Sequence, residues 1–480
     1  MAQAVHAAAQ LGGAKQVGIS ARKAFGFFVS IAVPVVIWFA PLHFEPVPKH
    51  ALAVAAFMIV TWIAEPIPHA LTGLIGCYLF WVLKVVKFSD AFSGFADQTA
   101  WFLFGAGLFG MMATKTGLAR RLAYLIIQRA GSGYSRLLLG IILSSFLLTF
   151  LVPSGIACVV IMASVALGLM QVFELGPGSN VGKGIFITLT YTAGIFDKMV
   201  IAGASTIVGR GLIEKGAHVH VYYSLWLAAF FPCAIVTIFA TWRLVVWLYP
   251  PEDAALERGS AFLRDEVERL GPWTAMEKRA LLLMLLAIAL WMTDLLHHIS
   301  PAVIGLGIGL FACIPFVGVL DQEDMKRLNY LPVFFVAAAI SMGNVLVQTG
   351  TLRTMTAILF NWMGPLITSS PFALAVVPYW TAFVYHIFLG NEIGMLATSM
   401  PGLMSFAHAN GIAPLPLGLI WAFAAGGKIF VYQSGVLVTG YSYGYFNARD
   451  VFRVGLSVTV VESLVLLLLV PFYWPMLGIR

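Results

Sequence analysis

Residues 371–407 read PFALAVVPYWTAFVYHIFLGNEIGMLATSMPGLMSFA, an apolar stretch interrupted near its middle by Gly390-Asn391-Glu392. One helix crosses a bilayer with about 20 apolar residues, so this stretch is too long for a single crossing. It reads as a re-entrant hairpin, two short helices meeting at a non-helical tip. Such a tip is tolerated at membrane depth only where protein or a wet cavity satisfies its backbone groups. Residues 137–172 repeat the design around Pro153-Ser154-Gly155.

The surrounding composition agrees with a membrane setting. Of 480 residues, 60% are hydrophobic and only 10% charged, with a mean hydropathy of +0.92. A soluble domain is about a quarter charged, so a soluble enzyme is excluded. The fold class expected is all-α, a polytopic membrane protein. The formal net charge of +7 would suggest nucleic acid in a soluble chain. Here the basic residues sit between apolar runs, as the positive-inside rule requires, and no nucleic-acid partner is expected. Cys77, Cys158, Cys233 and Cys313 all lie inside apolar stretches without metal-type spacing and read as core thiols.

Residues 1–24 form a polar arm without a cleavage pattern, expected in the cytoplasm. The first half runs over 25–249, with hairpin 137–172 and a broken helix at 185–213. A cytoplasmic connector occupies 250–279. The second half is 280–480, with hairpin 371–407 and a broken helix at 415–445. Arg120, Arg121, Arg129, Arg136, Lys326, Arg327, Arg449 and Arg453 then fall inside, the sparsely basic segments 43–49, 215–221 and 296–300 outside, and the C-terminus outside. Three landmarks recur at nearly one offset, about 230 to 240 residues: Thr116-Gly117 with Thr349-Gly350, Ser154 with Asn391, and Lys198 with Lys428. An odd number of crossings between them makes the repeats inverted, as in secondary transporters that bind substrate near the midplane.

Between Met363 and Phe446 the only Asp, Glu, Lys or Arg are Glu392 and Lys428. A charge at the bilayer centre costs about 2.5–3.5 kcal/mol even on insertion scales, so it persists only beside a cavity or a partner. Asp197 and Lys198 echo the pair in the first half, just before Ala202-Gly203-Ala204-Ser205. The plain reading of each pair is an ion pair that fixes helix packing. The functional reading is an electropositive site: two lysines at repeat-equivalent breaks, beside half-helix N-termini whose N–H groups favour an anion. His386, one turn before the second tip, has the chemistry of a proton shuttle or anion ligand, and its plain reading is a satisfied core histidine. Arg210 reads as an interfacial anchor, and Asn344 and Gln348 as hydrogen-bonding groups between helices. No Gly-x-Ser-x-Gly, His-Glu-x-x-His or Walker-type loop occurs, so neither enzyme chemistry nor ATP-driven transport is expected, and no cofactor.

Several stretches resemble the divalent anion/sodium symporter family, carriers of dicarboxylates, citrate or sulfate. Trp62-Ile63-Ala64-Glu65-Pro66-Ile67-Pro68 is similar to the family's Trp-x-x-Glu-x-Ile-Pro segment. Gly94-Phe95 through Thr99-Ala100-Trp101 to Lys115-Thr116-Gly117-Leu118-Ala119-Arg120-Arg121 is similar to its interfacial-helix signature. The Tyr249-Pro250-Pro251-Glu252 exit, the Glu277-Lys278 re-entry and Trp291 also agree, and the resemblance spans most of 50–475. It implies a scaffold domain and a moving domain that carries both hairpins and both broken helices, working as an elevator within a homodimer. It also implies a bacterial inner membrane, lipid around the chain, a small anionic substrate, and amphipathic arms after Thr116 and Thr349.

The chain departs from that pattern at the tips. Where the family usually reads Ser-Asn-Thr, with side chains that help hold sodium and a substrate carboxylate, this chain has Pro153-Ser154-Gly155 and Gly390-Asn391-Glu392. The Thr-Pro-Pro stretches of the broken helices are replaced by Gly203-Ala204-Ser205 and Tyr432-Gln433-Ser434. Sodium is therefore a doubtful partner, and the lysines, which carry sodium's charge in the segments that would enclose it, are candidates to replace it. The substrate-binding set is Ser154, Gly155, Lys198, Ser205, Asn391, Glu392, Lys428 and Ser434. The coupling set for a proton or ion is Asp197, His386 and Glu392, with no resident metal. Three functions fit these residues: a secondary transporter of a small divalent anion, working as a sodium-independent exchanger or proton-coupled carrier; a cation/proton antiporter using Asp197 and Glu392; and a non-transporting protein on the same scaffold.

Overall fold

The computed structural model describes residues 21–41, 45–131, 133–152, 154–201, 203–252, 257–351, 360–389 and 392–479, and no strand occurs among them. The chain opens with α1 (Ala21–Phe39), α2 (Pro46–Ala64) and α3 (His69–Val82), followed by α4 (Gln98–Thr116). Asp97 caps α4 by accepting from the Thr99 N–H at 2.9 Å. Gly117 ends it at φ 76, a left-handed conformation open to glycine without steric cost. The next helix, α5 (Leu118–Ala130), leaves α4 at a 69° bend. It is amphipathic, with Leu118, Ala119, Ala123 and Ile127 buried and Arg120 and Arg129 exposed. This is the arm expected after Thr116; most of the segment after Thr349, residues 352–359, lies outside the described residues.

The first hairpin is α6 (Tyr134–Leu151) and α7 (Gly155–Phe173). Its arms are not short: their 18 and 19 residues extend about 27–29 Å at 1.5 Å per residue. Then come the first broken helix, α8 (Asn180–Ile195), a tight turn at Phe196–Lys198 and α9 (Ala204–Ala217), and a long helix α10 (Tyr223–Leu248). The connector contributes α11 (Glu257–Arg269), and the second half begins with α12 (Ala275–Met292), α13 (Pro301–Phe311), α14 (Gln322–Arg327) and α15 (Leu331–Gln348). The second hairpin is α16 (Pro371–Leu389) and α17 (Glu392–Ala409), again with full-length arms. The second broken helix is α18 (Pro414–Ala425), unwound through Gly426–Ser434, then α19 (Gly435–Ser442), and α20 (Ala448–Leu468) follows. Among the described residues seven helices are long and apolar enough to cross a membrane, or eight if α4 and α5 count as one bent span.

The repeat predicted from the landmarks is visible in this order: long helix, hairpin, broken helix, long helix, twice. The packing is reciprocal. The second arm of hairpin one, α7, lies against α19 of the second broken helix, and α17 of hairpin two lies against α9 of the first. The ends of α4 and α15 are opposed, as inversion requires. Lys115 at the end of α4 pairs with Asp321 (2.9 Å) and Asp324 (2.5 Å), just before α15 begins. The other end of α15 carries Thr349 and leads to Thr351, whose hydroxyl donates to the Pro48 carbonyl at 3.1 Å.

Arg121 fastens α5 to the connector. Its Nε donates to Glu277 Oε1 at 2.6 Å, and its Nη atoms reach the Gly271 and Leu270 carbonyls, each at 2.9 Å. The guanidinium lies over Trp273, 5.1 Å from the ring centroid. Glu277 also closes the N-terminus of α12 in a capping box with Thr274. Removing one partner of a buried pair costs about 3–5 kcal/mol. Arg121→Ala is expected to lower thermal stability in detergent by that order, whereas Arg129→Ala, an exposed neighbour on the same helix, is expected to leave it within about 0.5 kcal/mol.

Arg210 departs from its expected role as an interfacial anchor. It is buried in α9, where Nη2 pairs with Glu214 Oε1 at 2.7 Å and Nε donates to the Val221 carbonyl at 2.8 Å. An arginine one turn before a glutamate satisfies itself inside the protein, which position near a helix end does not reveal. Asn344 and Gln348 do bond across elements, to Ser93 Oγ at 2.8 Å and Asp90 Oδ2 at 3.3 Å. The four cysteines are free thiols, three buried and Cys313 half-buried.

Candidate functional site

Four helix N-termini converge on one cleft of about 590 Å³. Ser154, Gly155, Ile156 and Ala157 enter it at the start of α7, Ala204 and Ser205 at the start of α9, Glu392 and Ile393 at the start of α17, and Ser434, Gly435 and Val436 at the start of α19. The opposite wall is one face of α4, from Leu103 to Thr114, together with Arg327 at the end of α14 and Leu328 and Asn329 after it. Each helix start exists because the sequence breaks there. Ser154 caps α7 by accepting from the Ala157 N–H at 3.3 Å, and Ser434 caps α19 by accepting from Val436 N–H at 3.2 Å. Unpaired N–H groups and the partial positive charge of a helix start make each terminus an anion-binding element, and here four face one volume.

Of the predicted substrate residues, Ser154, Gly155, Ser205, Glu392 and Ser434 line this cleft. The lysines stand behind it. Lys428, in the unwound part of the second broken helix, is buried; its ammonium lies 2.5 Å from Glu392 Oε1 and donates to the Gly194 carbonyl at 3.1 Å. Gly194 is in the last turn of α8, so the ammonium sits between a carboxylate and a helix C-terminus, two groups that attract a monovalent cation. The Lys428 carbonyl accepts from Tyr191 at 2.9 Å, and the same hydroxyl reaches the Val451 carbonyl at 2.6 Å. Tyr191→Phe is expected to cost about 1–3 kcal/mol by leaving buried carbonyls short of a donor, readable as a fall in melting temperature.

Lys198 does not reach the cleft. Its ammonium pairs with Glu462 on α20, and lies 4.5 Å from the centroid of Phe423 in the last turn of α18. The two lysines exchange places across the repeats. Lys428 crosses to Gly194, and the Lys198 stem lies over Gly426, where a Cβ would fall 2.4 Å from Lys198 Cδ. Glycine at both positions clears room for the stem or head of the other half's lysine.

His386 is fully buried, its ring nitrogens at 2.9 Å from the Gly427 carbonyl and 3.3 Å from the Gln433 carbonyl. It braces the unwound segment and does not face the cleft. Asn391 and the side chain of Asp197 lie outside the described residues.

Sequence reasoning missed Glu462 and the cleft wall at Arg327. Glu462 was detectable: it is the only charged residue between Arg453 and Arg480, the same signature that singled out Glu392 and Lys428. Arg327 was placed only on the inner side between two apolar runs, and nothing in its spacing shows that the end of α14 reaches the tips. Among the described residues no cluster of three or more His, Cys, Asp or Glu is arranged to hold a metal.

The chain is 26% identical over 95% of its length to a Cupriavidus necator protein named "Membrane protein", of which it covers 93%. It is 23% identical over 97% of its length to dicarboxylate transporter 2 of spinach chloroplasts, covering 83% of it. It is also 23% identical over 88% of its length to the L-tartrate/succinate antiporter of Escherichia coli K12, covering 91% of it. The fold is similar to that of Neisseria gonorrhoeae MtrF, from a class of antimetabolite efflux pumps, with a TM-score of 0.53 over 94% of each chain at 8% identity, a likeness of fold alone. The profile of the "Sodium:sulfate symporter transmembrane region" matches residues 21–480. The chain therefore belongs to the divalent anion:sodium symporter family, integral membrane transporters rather than enzymes.

Proposed function

We propose that this protein is a sodium-independent exchanger of small dicarboxylates, with Lys428 and Lys198 standing where its relatives would carry cations. The observation that carries the reading is the layered charge: four helix starts around a cleft, and directly behind them a buried ammonium held by Glu392 and the Gly194 carbonyl. A fixed ammonium supplies the positive charge that a bound sodium would bring. It neutralises Glu392, so the cleft is left with the helix termini and Arg327 as its net electrostatic character. A dianion then finds partners at both walls. Relatives named as a dicarboxylate transporter and a tartrate/succinate antiporter support both the substrate class and exchange.

In this reading α6–α10 and α16–α20, joined by buried contacts such as Lys198 with Glu462 and Tyr379 with the Thr459 carbonyl, form the moving body of an elevator within a homodimer, and α1–α5 with α12–α15 form its scaffold. The basic segments around α5, the connector and α14 face the cytoplasm of a bacterial inner membrane, so the cleft, with Arg327 and Asn329 at its edge, opens inward.

Binding to the purified protein in sodium-free potassium buffer tests the substrate class. Succinate, tartrate or sulfate is expected to raise the melting temperature, while monocarboxylates and sodium are not. Absence of any dianion effect, with protons released on adding sodium, would instead establish the cation/proton antiporter.

A further inference from the structure

Away from the cleft, the C-terminal end of α10 and the N-terminal end of α20 lie side by side, tied by a 2.9 Å hydrogen bond from the Tyr249 hydroxyl to Asp450 Oδ1. Between them a groove of about 350 Å³ runs along the outer surface, walled by Ala240, Leu244, Trp247, Val458 and Val461, with Arg243 and Ser457 as its polar residues. Trp247 is 77% exposed, so the indole faces the surrounding medium. Arg243 lies 5.0 Å from the centroid of Trp242, whose indole N–H is fixed to the Ser135 carbonyl at 2.7 Å. Arg453 is exposed one turn before Ser457, on the groove side of α20. None of the ion pairs among the described residues uses Arg243 or Arg453.

We propose that this groove is a binding site for one anionic phospholipid, with the phosphodiester on Arg243 and Arg453 and an acyl chain along the apolar walls. Arg243 is six residues before Tyr249, just past the end of α10, about 9 Å along the helix axis, a distance over which a long basic side chain reaches back to the interface. An arginine there is stable when its stem stays in the apolar layer and its guanidinium reaches a phosphate, which it binds as a two-pronged donor. Trp242 holds the planar guanidinium in place by stacking, and Trp247 is the indole expected at that level. A zwitterionic lipid brings its own ammonium to the two uncompensated arginines, whereas an anionic headgroup complements them. Ser457 offers a hydroxyl to the glycerol backbone.

Native mass spectrometry of the delipidated protein, titrated with phosphatidylglycerol and phosphatidylcholine in separate series, tests the site. The wild type is expected to retain one phosphatidylglycerol at concentrations at least about tenfold below those needed for phosphatidylcholine, a preference of roughly 1.4 kcal/mol. Arg243→Gln with Arg453→Gln is expected to reduce the two lipids to equal binding. Both side chains are exposed, and an unchanged dicarboxylate-induced melting shift verifies that the variant is folded. As a second readout, phosphatidylglycerol brominated in its acyl chains should quench wild-type fluorescence more than that of Trp247→Phe. Equal binding of both lipids to wild type, a preference that survives in the double variant, or identical quenching in Trp247→Phe would overturn the proposal.

Discussion

Replacing Lys428 with alanine is expected to lower dicarboxylate exchange at least about 100-fold while the protein still folds. A 100-fold loss corresponds to about 2.7 kcal/mol of substrate binding, each 1.4 kcal/mol being a factor of ten, and is separate from the stability that breaking a buried pair costs. The loss falls on the site because Lys428 is the ammonium directly behind the cleft, paired with Glu392 and donating to the Gly194 carbonyl. Lys428→Ala leaves a carboxylate and a helix C-terminus facing a space that an ammonium filled. If the lysine stands in for an ion, a small cation can re-enter, and sodium should restore part of the activity to Lys428→Ala that it does not affect in wild type. Initial rates of counterflow with and without sodium measure this. Wild-type exchange by Lys428→Ala would remove the lysine from the mechanism.

The pair of Lys198 and Glu462 gives the second large effect. Glu462 is fully buried and Lys198 nearly so. Lys198→Met alone strands a carboxylate and Glu462→Leu alone strands an ammonium, each expected to cost about 3–5 kcal/mol of stability. The combined variant Lys198→Met with Glu462→Leu replaces both charges by apolar groups of similar volume and is expected to recover most of that stability. Exchange should not recover with it, because the ammonium that replaces an ion is still missing. Melting temperature and exchange rate on the three variants separate the two roles. A combined variant that exchanges at the wild-type rate would show that the pair only fixes α20 against the first broken helix.

Much of this architecture was legible from where the sequence tolerates breaks and charges. Ser154 and Glu392 were recognisable because helix-breaking residues within apolar stretches have few explanations in a membrane. Their convergence followed from the repeat, and the structure brings both to one cleft. The direction in which each lysine points was not legible. Lys198 lies in the first break, but its ammonium goes to Glu462, 264 residues away in the chain. Which carboxylate answers a buried cation depends on how α20 packs across the repeats, and local spacing carries no trace of that. The same limit hid Arg327 at the rim. Arg210 differs: its partner Glu214 is one turn on in the same helix, so the pair was open to local spacing and only its burial was not. The hairpin arms were read as short because a tip divides each long apolar stretch, yet the helices extend past the apolar run, α6 starting at Tyr134 ahead of Ser135 and Arg136, and reach 18 and 19 residues.

The claim that fixed ammonium groups replace sodium meets its most direct test in proteoliposomes prepared without sodium. Labelled succinate is supplied outside, and the vesicles are either empty or preloaded with unlabelled succinate in potassium buffer. Uptake is expected into preloaded vesicles only, at a rate unchanged when sodium replaces potassium on the outside. Uptake into empty vesicles that requires an inward sodium gradient would contradict the claim and return the chain to sodium-coupled transport.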